Sequence, residues 1–112
     1  MRSELKNFWQ YLQEYHQSEA KAIRQKILAQ KFGISARAIR EWTEELTVDF
    51  RKPVASTVHP PYGIFVATTQ GERERYIAQL DARMKALYRR RRAFARTPIG
   101  EVIRQMELEM TT

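Results

Sequence analysis

Residues 27–46 read ILAQKFGISARAIREWTEEL. Two short helical patterns meet here across a tight turn. The first runs over 24–33 and sets Ile27, Leu28 and Phe32 on one side, with Leu28 and Ala29 packing inward. Gly33 closes it, because glycine takes the left-handed backbone that ends a helix without steric cost. Ile34 then plugs the turn, and Ser35 is placed to cap the next helix. Over 36–46, Ile39, Trp42 and Leu46 recur at the 3–4 spacing of a helix with one buried face.

Upstream, SELKNFWQYLQEYH (3–16) carries Leu5, Phe8, Trp9, Leu12 and Tyr15 at helical spacing, with Ser3 as N-cap candidate. QSEAK (17–21) is polar and reads as a connection. Downstream the pattern shortens. PVAST (53–57) and GIFVA (63–67) are β-branched and aromatic, and VHPPY (58–62) between them cannot be regular strand, since Pro60 and Pro61 lack amide donors. This predicts a β-hairpin with a proline-stiffened tip. Thr69 and Glu72 fit a capping box at the start of a long helix reaching about Arg96. Thr97–Pro98 breaks it, and IGEVIRQMELEM (99–110) predicts a short terminal helix with Val102, Ile103, Met106 and Met110 on one face.

The composition narrows the function classes. The 112 residues suit one domain-sized core, and the absence of cysteine removes disulfides, thiol catalysis and thiolate metal sites. No apolar run approaches the ~18 residues of a membrane span. MRSELKNFWQYL interrupts its apolar positions with acidic and polar residues, so no signal peptide is expected, and a cytoplasmic location fits. His16 and His59 lie far apart, no serine stands in a nucleophile elbow, and no glycine-rich phosphate loop or two-histidine helical pair occurs. We expect no enzyme, no metal and no cofactor. Phe8, Trp9, Phe32, Trp42 and Phe65 read as core, and Tyr11 and Tyr15 as structural.

Net charge is +7, distributed as +3 over 1–69, +6 over 70–100 and −2 over 101–112. A basic balance favours polyanion partners. The predicted architecture is mainly α with a small β-hairpin wing (α+β): three helices, a hairpin, a long C-terminal helix and a short terminal helix. That order is the order of a winged helix-turn-helix, in which helix 35–46 enters a DNA major groove and hairpin 53–67 is the wing.

The segments ILAQKFGISARAIREWTEEL, KPVAST and YGIFVA resemble the N-terminal winged helix of the biotin-operon-repressor group, and small helix-turn-helix proteins of phages and prophages are similar. The likeness covers residues 23–67. Tyr62 precedes Gly63, the reverse of the group's Gly-Tyr order, and prolines replace its small residues at the tip. The group's ligase activity is not carried over, because the pattern after the wing is helical. The resemblance implies double-stranded DNA as partner and a role in transcription control or a mobile-element process.

On that geometry the base-edge candidates are Ser35, Ala36, Arg37, Arg40 and Thr43, arginine being able to bond guanine in bidentate fashion. Gln25, Lys26, Lys31, Arg51 and Lys52 are the phosphate candidates, and His59 and Tyr62 occupy the wing tip. Against this, Glu41, Glu44 and Glu45 leave residues 35–46 with net charge −1, which weakens attraction to phosphate. The principal alternative is a protein-interaction module that uses the winged fold to bind a replication, packaging or transcription component; a third is non-specific DNA or RNA binding through the long basic helix.

The long helix has an apolar seam of Ile77, Leu80, Met84, Leu87 and Phe94, interrupted by Arg91. A 3–4 seam of this length predicts packing on a second copy, hence a homodimer; the alternative is that its first half packs on its own domain and its second half meets residues 99–110. The domains expected are 1–68, the winged helix-turn-helix, and 69–112, a helical dimerisation arm. Arg89 to Arg92 fan around the helix axis, so they are not one patch. Arg91 falls in the seam, and Arg89 and Arg92 are the pair most free to meet a phosphate.

Overall fold

The computed structural model describes residues 1–100 and Glu109. In chain order it has α1 (Ser3–Tyr15), a single 3-10 turn (Glu19–Lys21), α2 (Gln25–Phe32), α3 (Ala36–Val48), β1 (Val54–Thr57), β2 (Gly63–Val66) and α4 (Gln70–Ala95). The fold class is α+β, mainly helical, with a two-stranded antiparallel hairpin and a long helix after it. Ile99 and Gly100 lie in a turn. The rest of the expected terminal helix, with Val102, Ile103, Met106 and Met110, lies outside the described residues, although Glu109 itself is helical and exposed.

Amphipathic helices bury their faces where their periodicity places them. Leu5, Phe8 and Leu12 of α1, Leu28 of α2, and Ile39 and Leu46 of α3 are fully buried in one cluster with Trp9, Val54, Ile64 and Val66. Phe8 stands edge-on to both Phe32 and Trp42, each with ring centroids 5.3 Å away. Such edge-to-face contacts add to the area that the rings bury. Three expectations are corrected here. Ile27 is 49% exposed, because it lies about 100° around the helix from Leu28, whose side faces the core. Tyr15 is 55% exposed at the end of α1, where the helical face has run past the core. Ser3 is the first helical residue and Arg2 the N-cap, without a side-chain cap bond.

The hairpin pairs Val54 with Val66, Ala55 with Phe65, Ser56 with Ile64 and Thr57 with Gly63. The other edge of β2 is also covered. Val66 N donates to the His16 carbonyl at 2.8 Å and Ser18 N to the Val66 carbonyl at 2.9 Å. Ile23 and Ile64 exchange both backbone bonds, at 2.9 and 2.7 Å. The stretch 17–21, expected as a plain connection, thus sits within a segment that closes an otherwise open sheet edge. Gly63 makes this possible: at φ +116° a Cβ would run into the Ile23 carbonyl and the Arg24 amide.

The chain divides into two compact units, Met1–Ala78 and Gln79–Thr112. The expected boundary at 68/69 lies before α4, whereas this division falls inside it. The first turns of α4 have a polar anchor in the first unit. Glu72 is 6% exposed. Its carboxylate accepts from Glu19 N at 2.6 Å, Thr68 N at 2.9 Å and the Thr68 hydroxyl at 3.2 Å. Thr69 caps α4 as expected, accepting from Glu72 N at 3.2 Å. The return bond of the capping box goes instead to Thr68 N, one residue earlier. Glu19 in turn accepts from Thr57 Oγ1 at 3.1 Å and from Arg75 Nη2 at 2.8 Å. In the second unit, residues 81–100 are exposed throughout. Among the described residues no helix is long and apolar enough to cross a membrane.

Candidate functional site

Gly33 adopts φ 65°, ψ 32°, the left-handed conformation that ends α2. Ile34 is half-buried against the core and donates its amide to the Ala29 carbonyl at 3.1 Å. Ser35 then opens α3, its hydroxyl accepting from Ala38 N at 3.0 Å. A capping bond of this kind stabilises a helix by about 1 kcal/mol. Gln25 Nε2 donates to the Ala36 carbonyl at 2.6 Å, bracing the start of α3 against α2.

With Ile39 and Leu46 buried, the opposite side of α3 is open. Arg37 and Arg40 are exposed there, Ser35 and Ala36 are exposed at the start of the helix, and Thr43 is half-buried. Three of the five base-edge candidates are already engaged. The Ser35 hydroxyl is the cap, the Thr43 hydroxyl donates to the Arg40 carbonyl at 2.8 Å, and Arg37 Nε donates to Glu41 Oε1 at 3.2 Å. The Arg37–Glu41 pair is largely solvated, 81% and 62% exposed, so it breaks at small cost.

The acidic residues of α3 do not act alike. Glu45 Oε1 accepts from Arg2 Nη1 at 2.6 Å. The Arg2 guanidinium holds the Glu45 carboxyl below its ordinary value, and Arg2 is raised in return. This pairing joins the start of α1 to α3 and offsets one of the three carboxylates counted against phosphate contact. Glu44 is exposed.

The phosphate candidates separate in the same way. Lys26 and Arg51 are exposed, Arg51 at φ 52°. Gln25 is turned onto Ala36, its Nε2 engaged by that carbonyl. Lys31 Nζ lies 4.8 Å from the centre of the Tyr11 ring, and Lys52 Nζ 5.6 Å from that of Trp9. Contacts of this kind hold a cation near the surface without neutralising it.

At the hairpin tip, the His59 amide donates to the Thr57 hydroxyl at 3.1 Å, and its carbonyl accepts from Tyr62 N at 2.7 Å. Tyr62 is 43% exposed at φ 60°. The Arg24 guanidinium lies 5.8 Å from the centre of its ring. Arg24, the N-cap of α2, is absent from the candidates read from the sequence, because nothing in the helical pattern over 24–33 relates its first residue to the hairpin. Its place beside the hairpin became visible only through the Ile23–Ile64 pairing.

The seam candidates on α4 are open. Ile77, Leu80, Met84, Leu87 and Phe94 are 47%, 36%, 67%, 66% and 77% exposed, and Arg91 is exposed as well. Among the described residues no group of three or more His, Cys, Asp or Glu is arranged to hold a metal ion. Comparison with protein-family models, curated proteins and solved structures gave no match.

Proposed function

We propose that the first unit is a winged helix-turn-helix that binds a specific double-stranded DNA sequence. In this reading α3 lies in the major groove and the β1–β2 hairpin lies along the backbone as the wing. One observation carries it: the first two turns of α3 expose Ala36, Arg37 and Arg40 and are braced by the Ser35 cap and by Gln25. A recognition helix needs this combination, since base edges are read by side chains held in register by contacts elsewhere. Arg37 and Arg40 are the base-reading pair, and Lys26, Arg51 and Arg24 the backbone contacts. The exposed α4 seam supports action as a homodimer on two half-sites; the location we propose for it is the cytoplasm.

The test is selection from a random DNA library at about 150 mM salt. An enriched motif is expected. Arg37→Ala or Arg40→Ala should weaken binding to it by about 1–3 kcal/mol and relax the preference at one base pair. Recovery of no motif overturns the reading and favours the protein-interaction alternative, which is indifferent to DNA at that salt.

A further inference from the structure

The second unit carries a charged feature that the α3 reading does not use. At 100° per residue, Lys85, Arg89, Arg92 and Arg96 fall within about 60° of one another on α4 and its closing turn. Their steps of four, three and four residues make a ridge about 16 Å long. All four are exposed, and the ion pairs Arg2–Glu45, Arg37–Glu41 and Arg75–Glu19 involve none of them. No acidic residue occurs between Asp81 and Glu101. The ridge flanks the apolar seam and does not coincide with it, so covering the seam leaves it free.

We propose that this ridge is a second DNA-binding surface, sequence-independent, that takes the phosphate backbone of a duplex. Three observations select that ligand. The duplex presents one negative charge per ~1.7 Å of its axis, so a ridge of about 16 Å has a phosphate within reach of every cation. Three of the four cations are arginines, whose planar forks match phosphate oxygens. An anionic membrane surface fits less well, because Arg91 falls near the middle of the neighbouring apolar stripe, where an inserting helix needs continuity. The ridge supplies salt-dependent affinity and on-rate, and α3 supplies sequence choice.

The experiment uses the full chain and a random-sequence duplex, so it does not depend on whether a target motif exists. Binding is titrated from about 50 to 300 mM salt for the wild type, for R89Q/R92Q, and for R83Q/R90Q. The last pair removes the same charge from the other flank of the helix. Glutamine keeps helix propensity, and circular dichroism verifies the fold of each variant. R89Q/R92Q should lower the slope of log K against log salt by about 1.5–2, since each phosphate no longer neutralised removes about 0.9. R83Q/R90Q should change it by less than half as much. Equal reductions from the two pairs make the effect one of net charge and overturn the proposal, as does an unchanged slope in R89Q/R92Q. Binding to phosphatidylserine vesicles that needs Arg89 and Arg92, with duplex binding unaffected, assigns the ridge to a membrane and also overturns it. A failed motif search with the expected slopes removes the α3 reading and leaves the ridge standing.

Discussion

Glu72 illustrates how one side chain can serve both as helix cap and as tether. Burial pushes its carboxyl pKa up, but the hydrogen bonds from the Thr68 and Glu19 amides and the Thr68 hydroxyl outweigh burial and hold it below its ordinary value of 4.5. A carboxylate whose folded pKa lies below its unfolded one stabilises the fold above the unfolded value. That contribution is lost as pH falls through the folded value. Glu72→Gln should therefore cost about 1.5–3 kcal/mol at pH 7, the range for hydrogen bonds to a charged acceptor. The gap to wild type should narrow as pH drops below about 4.5. Urea titrations of both proteins at pH 7 and pH 3 check this, and an equal gap at the two values would contradict it. The neighbouring Thr57 and Arg75 bonds to Glu19 belong to the same network. Glu72 and Glu19 are therefore expected to couple non-additively.

Among the elements, α4 differs from the others in what it leaves uncovered. Leu80, Met84, Leu87 and Phe94 keep coiled-coil spacing yet are exposed, and exposed seams of this kind mark interaction surfaces. If a second copy covers the seam, Leu87→Glu should convert a dimer into a monomer by light scattering and lower the helical signal. A wild-type mass equal to one chain would remove the homodimer. How far these elements were legible follows from their periodicity. α1, α2, α3 and the hairpin could be read because each repeats its apolar residues over several positions. The Ser35 cap and the Gly33 turn were legible because serine and glycine are used there for their own backbone chemistry. The pairing of residues 16–23 with β2 was not, since isolated bridges at Gln17 and Ile23 repeat nothing. The burial of Glu72 was hidden for a related reason. A capping-box glutamate normally sits at a solvated helix end, and the bond from the Glu19 amide, far off in sequence, is not encoded locally. Within the candidate site, the positions of Arg37 and Arg40 on the open side of α3 followed from Ile39 and Leu46. The bracing role of Gln25 and the place of Arg24 over Tyr62 depend on tertiary contacts that no local pattern encodes.

At the scale of the whole molecule, the question is where the first unit stops. The apolar cluster ends at Val66, which suggests a boundary after residue 68. The polar network does not end there. Glu72 and Arg75 reach back to Glu19, and Glu19 holds Thr57 of the hairpin, so the first turns of α4 join the 3-10 turn and β1. A fragment of residues 1–68 keeps every member of the apolar cluster but leaves the Glu19 and Thr68 amides without the Glu72 carboxylate. A fragment of residues 1–78 keeps both bonds. Loss of the Glu72 bonds alone should cost about 1.5–3 kcal/mol. In a domain of 60–100 residues, each kcal/mol shifts the melting temperature by about 4–8 °C. The shorter fragment should thus melt roughly 6–24 °C below the longer one from these bonds alone. Glu72→Gln placed in the 1–78 fragment should reproduce a large part of that difference. The remainder belongs to Arg75 and to the helix that residues 70–78 supply. Thermal unfolding of the three proteins by circular dichroism measures all of this. Equal melting temperatures for 1–68 and 1–78 would show that the apolar cluster alone sets the stability of the unit, and that the buried carboxylate orients α4 without strengthening the fold.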